Sequence, residues 1–236
     1  MASWYDKVGL TMNAKKTEVV CFGFGNDVSG ITVKGVQIYP STTIKFLGVN
    51  IDNNLGLTSH VKYVADKVRY SAANIRRQSL GTNLKERIVL YNAWIKGTVM
   101  SNGLAYLPCL NKDQLNEIQT AMNSGIRAIL QKPKFGHLPI SLYREKLRLE
   151  SIEEIRDKLV AYEAWKRKHH LMEQHQSTTG METRARRNLK LIAPDQRGWR
   201  GKKVETKVQQ MWNKIPSNIK FEHNAKIAKK CIKNLF

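Results

Sequence analysis

The rhythm of apolar positions changes once along the chain. Up to about residue 56 they come in short β-branched and aromatic runs, "TEVVCFGF" (17–24), "GITVKGVQIYP" (30–40) and "TTIKFLGVNID" (42–52). In the second run Val33, Gly35 and Gln37 alternate with Lys34, Val36 and Ile38, the period of a strand. Glycines and asparagines at 23–30 and 52–56 supply turns. The pattern predicts three strands in one small antiparallel sheet, the first of them buried. Three strands are marginal alone, so this piece needs helices or another partner to lean on.

From Leu57 the period lengthens to three and four. Val61, Val64, Val68, Ala72 and Ile75 fall on one stripe of a helix. The opposite stripe, Tyr63, Lys67, Tyr70, Asn74 and Arg77, mixes rings with positive charge. A second helix opens at "NLKE", where Asn83 caps and Glu86 reaches back, and runs through Trp94 to Gly97 or beyond. A third opens at "NKDQ" (111–114) and ends near Ile129. A fourth starts near Ser141 and restarts at "SIEE" (151–154). "VETKVQQMWNKIP" (204–216) and "NAKIAKKCIKNLF" (224–236) read as short helices around Pro216, with Trp212 in the core. "HQSTTGMETRARRN" (175–188) has no apolar period and reads as a linker or basic loop. The fold class expected is α+β. A sheet at 1–56 precedes a helical bundle at 57–131, connecting helices at 132–174 and a basic C-terminal region at 175–236.

Composition adds a partner to this picture. With 42% hydrophobic and 25% charged residues the chain is globular in character, and no apolar run approaches the roughly 18 residues of a membrane span. The opening residues lack the pattern of a secretory signal. Cys21, Cys109 and Cys231 are odd in number and far apart, which argues against a disulfide framework or a zinc pair. These features predict a soluble intracellular chain, nuclear or cytoplasmic, with no membrane partner. The net charge is +21 and the pI about 10.0, far beyond what solubility requires, and implies a polyanion. Residues 1–130 carry 15 Lys and Arg against 8 acids, and residues 131–236 carry 25 against 11, so charge concentrates toward the C-terminus. Basic segments interleaved with Trp, Tyr and Asn point to nucleic acid.

Candidate chemistry is sparse. Asp6, Asp27 and Asp52 are isolated in turn-like settings and form no evident two-metal cage. His170 and His175 would point about 140° apart on a helix, so no metal site is expected at "HHLMEQH". "GFGNDVSG" is read as a hairpin turn rather than a phosphate loop. Binding chemistry is richer. The Tyr63–Arg77 stripe can track a sugar-phosphate backbone, or it is a solvated face whose tyrosines pack on a neighbour. "RGWRGKK" (197–203) sets Trp199 among Arg197, Arg200, Lys202 and Lys203, either as a stacking platform or as an anchor for the last helices.

Three stretches in order carry a resemblance. "GLTMNAKKTEVVCFG" (9–23), "IKFLGVNID" (44–52), and then "HVKYVADKV" (60–68) with "LYNAWIKGTVMSNGLAYLP" (90–108) resemble the region after the catalytic aspartates in reverse transcriptases of non-LTR retrotransposons. Residues 9–23 resemble the family's motif D, an Asn-x-x-Lys-Thr turn leading into a palm strand. Residues 44–52 resemble motif E, the primer-grip hairpin. Thumb-like helices to about Leu130, and "MWNKIPSNIK" (211–220), continue the likeness. The resemblance implies that 1–56 is a palm remnant and 57–131 a thumb. It implies that Lys16 lies near the incoming triphosphate with Lys15 and Thr17 beside it, and that Phe46, Leu47 and Gly48 press on the primer terminus. Without it, Lys16 is a solvated strand-entry lysine. The family's fingers, first catalytic aspartate and Tyr-x-Asp-Asp hairpin would lie ahead of residue 1. The expectation is therefore a fragment of an RNA-directed DNA polymerase that binds RNA or an RNA/DNA duplex without catalysing extension alone. It holds no cofactor of its own, magnesium being needed only by a complete polymerase. Further partners are the fingers and palm from another chain, or another protein, for which this chain would serve as an adaptor.

Overall fold

A computed structural model describes residues 7–11, 13–23, 29–133, 136–168 and 200–236, with only the backbone for residues 79 and 200–203. The architecture is α+β, with two separate two-stranded antiparallel sheets among the described residues, followed by helices. The chain divides into two compact units, Met1–Tyr63 and Val64–Phe236.

In the first unit, Asn13 accepts a hydrogen bond from the Lys15 amide (3.1 Å) and caps a 3-10 turn at Ala14–Lys16. The segment after it is not the buried strand expected. Among the described residues it is tied to the rest of the unit where the Ser41 amide and Oγ both donate to the Val19 carbonyl (2.8 and 3.2 Å), and Phe22 is exposed. One carbonyl cannot sustain a ladder, so residues 17–21 remain irregular. Nor is "GITVKGVQIYP" one strand. Lys34 and Gly35 take φ of 47° and 79°, the two left-handed residues of a type I′ turn. They fold the run into a hairpin of β1 (Ile31–Val33) and β2 (Val36–Ile38), with Val33 opposite Val36. The next run repeats the device. Leu47 (φ 46°) and Gly48 (φ 87°) join β3 (Thr43–Phe46) to β4 (Val49–Asp52), with Phe46 opposite Val49. Two hairpins thus replace the single sheet, because each two-residue turn closes its strands locally.

Helix α1 (Thr58–Gln78) buries Val61, Val64, Val68, Ala72 and Ile75, the stripe its spacing predicts. In the second unit, Asn83 and Glu86 close a reciprocal capping box at α2 (Leu84–Leu90). The chain then runs through a π-helical stretch (Tyr91–Lys96) into α3 (Gly97–Met100). Short α4 (Gly103–Tyr106) and a 3-10 turn containing Pro108 lead to α5 (Lys112–Ile129), boxed by Asn111 and Gln114. Gly125 of α5 faces the π stretch closely enough that a methyl there would collide with Ile95 Cδ1 and approach the Tyr91 ring at 2.9 Å. Helices α6 (Ile140–Lys146) and α7 (Ile152–Lys166) follow, the latter boxed by Ser151 and Glu154. The Trp212 helix α8 (Arg200–Lys214), then α9 (Ser217–Lys220) and α10 (Ala225–Leu235), pack with α7 in one core of Val160, Ala164, Trp212, Ile215, Ala228 and Ile232. The Glu222 carbonyl locks the connecting turn, accepting from Trp165 Nε1 (3.3 Å) and Lys168 Nζ (2.8 Å). The C-terminal helices are thereby part of the helical core.

Candidate nucleic-acid interface

Lys15 and Lys16 are exposed on the Asn13-capped turn, and Thr17 Oγ1 donates to the Asn13 carbonyl (2.9 Å) at its exit. The Asn-x-x-Lys-Thr stretch is therefore a turn that holds two ammonium groups in solvent. At the β3–β4 tip Phe46 and Leu47 are 59% and 81% exposed. The two-residue turn takes left-handed backbone at Leu47 and Gly48, which only the glycine adopts without strain, and it carries these apolar side chains out into solvent.

The β3–β4 hairpin is fastened to the first turn of α1. Asp52, buried, accepts from the Ser59 amide through Oδ2 (3.4 Å) and from Thr43 Oγ1 through Oδ1 (3.4 Å). A carboxylate at the start of α1 complements the orphan amides and positive dipole end there. His60 Nδ1 accepts from the Asn50 amide (3.3 Å). Burial lowers the His60 pKa below 6.5, against Asp52, whose charge raises it. Lys45 sits 5.2 Å from the centre of the Tyr63 ring, which stacks with His60 at 6.2 Å. Tyr63 is thus half-buried and serves this clasp. The sequence offers Asp52 only as a turn residue. Its role depends on a partner seven residues on, and no local spacing signals that.

Further along α1, Lys67, Tyr70 and Arg77 are exposed, Tyr70 at 65%, and half-buried Asn74 accepts from Arg77 Nη2 (2.5 Å). The alternative in which the tyrosines pack on a neighbour therefore holds for Tyr63 and not for Tyr70. Other cations serve the fold. Arg87 donates to the Ile129 carbonyl (2.8 Å) and Arg76 to the Lys132 carbonyl (2.8 Å), where α5 and the residues after it leave carbonyls open. Arg144 binds Asn123 Oδ1 (2.9 Å). Of the "RGWRGKK" residues, Arg200, Lys202 and Lys203 lie in the first turn of α8, while Arg197 and Trp199 fall outside the described residues. His170, His175 and the 175–188 stretch also fall outside them.

Among the described residues no group of His, Cys, Asp or Glu is arranged to hold a metal ion, and no helix is long and apolar enough to cross a membrane. All three cysteines are thiols. The chain matches no known family, no curated protein and no solved structure. Its likeness to non-LTR reverse transcriptases stands on the quoted residues alone.

Proposed function

We propose that the chain grips the sugar-phosphate backbone of RNA or of an RNA/DNA duplex, as the thumb and primer-grip portion of a non-LTR reverse transcriptase would. One observation carries this reading. Tyr70 stands exposed between Lys67 and Arg77 on one face of α1, in a chain of net charge +21. Cations there neutralise phosphates and release counterions, while an exposed ring packs on a sugar or base. The hairpin tip at Phe46–Gly48 is a second contact, and Lys16 is the residue that would face a triphosphate if a complete palm were assembled around it. Extension needs two magnesium ions on clustered carboxylates. We assign that role to no residue of this chain, so primer extension by it alone is not expected.

Duplex binding measured by anisotropy should weaken by an order of magnitude or more between about 50 and 200 mM salt. Lys67→Glu combined with Arg77→Glu should weaken it further without altering helicity. Affinity indifferent to salt and to both substitutions overturns the proposal.

A second reading has its own support. Val8, Leu10, Phe22, Ile31, Val36 and Tyr39 of the first unit are exposed, which suits an adaptor that presents apolar side chains to a protein. That reading expects self-association or co-purifying protein in light scattering. A clean monomer counts against it.

A further inference from the structure

A cavity of about 430 Å³ opens in the helical unit. Its floor is apolar, with Ile155 and Leu159 of α7 meeting Ile232 of α10. Four lysines line it, Lys96 from the π stretch, Lys158 from α7, and Lys229 and Lys233 one turn apart on α10. Glu150 is the acid among the lining residues, and it is paired with both Lys96 and Lys158, the latter at 2.8 Å. Burial alone would raise the Glu150 carboxyl, but hydrogen bonds from the two lysines outweigh it and hold the pKa below 4.5. The acid is therefore ionised and its charge fully engaged. Lys229 and Lys233 have no carboxylate partner among the described residues, and both are exposed. Tyr162 forms an aromatic wall, with Lys229 Nζ 5.7 Å from its ring centre.

We propose that this cavity is a nucleotide pocket that receives the phosphorylated terminal nucleotide of a nucleic-acid strand. The phosphate rests between Lys229 and Lys233, and the base lies on the apolar floor against Tyr162. The assignment deepens the nucleic-acid reading above and rests on it. Volume and lining fit a small ring-bearing ligand, since such pockets span about 300–1,000 Å³ with an apolar body and a few convergent polar groups. The charge selects the head group. The lining lysines outnumber the acid by three, and two ammonium groups i,i+4 on one helix face converge on a multiply charged anion. A peptide carboxylate brings one charge and no aromatic body for the floor.

The test uses the full chain, a single-stranded RNA with a 5′ or 3′ terminal phosphate, the same strand with hydroxyl ends, and a closed RNA hairpin lacking end phosphates. A terminal phosphate should tighten binding about tenfold, or ~1.4 kcal/mol. Lys229→Gln with Lys233→Gln, and separately Tyr162→Ala, should abolish that preference while hairpin binding stays within about twofold. Lys229→Arg with Lys233→Arg should keep it, since the charge is retained. Adenosine monophosphate should displace the phosphorylated strand where inorganic phosphate at equal concentration does not. Hairpin binding with no phosphate preference overturns the pocket and leaves the α1 interface standing. Equal displacement by inorganic phosphate, or by a glutamate-rich peptide, overturns the nucleotide assignment. Loss of all binding, hairpin included, overturns both proposals.

Discussion

The two units solve the same problem differently. The helical unit, Val64–Phe236, fills its interior with fully buried large side chains such as Tyr91, Ile118, Met122 and Trp212. The hairpin unit, Met1–Tyr63, has Val33 and Val61 as its buried hydrophobics among the described residues, while Phe22, Ile31, Tyr39, Phe46 and Leu47 stand in solvent. Burial at about 25 cal/mol per Å² supports the helical unit. Type I′ turns and one polar clasp at Asp52, Ser59 and His60 support the hairpin unit. Two-stranded hairpins are marginal in water, and apolar groups left outside are available for contacts. Core quality and surface availability are traded against each other within one chain.

The sharpest way to break this comparison is Trp212→Ala. The side chain is 1% exposed, so truncation should cost about 3–5 kcal/mol and lower the melting temperature by more than about 6 °C in differential scanning calorimetry. A small change would mean that the helical core is not what holds that unit. Next in size is Gly125→Ala, whose added methyl meets Ile95 and Tyr91. Overpacking there should cost about 1–3 kcal/mol in urea unfolding.

Acidification probes the hairpin unit. The folded-state pKa of His60 lies below 6.5 through burial, so the unfolded chain takes up the proton first. Stability from this group is present above the unfolded value and declines as pH falls through it toward the folded one. Protonation also removes the Nδ1 acceptor. Hydrogen exchange at the Asn50 amide should therefore accelerate below about pH 6.5 beyond the intrinsic rate, and a flat profile would sink the clasp. The smallest effect belongs to Leu47→Ser. At 81% exposed it should shift stability by less than about 0.5 kcal/mol, and a larger loss would show that the hairpin tip is covered.

What the sequence disclosed follows from the range of the forces involved. Asn83, Asn111 and Ser151 each cap a helix and meet Glu86, Gln114 and Glu154 three residues later, so those starts are legible within one turn. The buried stripe of α1 is equally local. The Lys34-Gly35 and Leu47-Gly48 turns are harder to read, because lysine and leucine rarely occupy left-handed backbone and only the glycine signals it. The π stretch carries no sequence mark at all. Nor does the lysine cavity, whose Lys96, Glu150, Lys158 and Lys229 come from separate segments and meet only through packing. For the proposed interface, the sequence placed Lys67, Tyr70 and Arg77 on one face, while the use of Tyr63 in the clasp depended on Lys45 in another element.

The π stretch at Tyr91–Lys96 has a geometric corollary. An i→i+5 coil widens the spiral and inserts residues that an ordinary helix would not need, so everything downstream is rotated relative to Leu84–Leu90. Lys96 and Met100, which line the cavity, owe their bearing to that offset. Forcing the same six residues into an ordinary α-helical repeat would turn both about the helix axis. The cavity would then lose a wall and Glu150 an ammonium partner, although neither had been substituted.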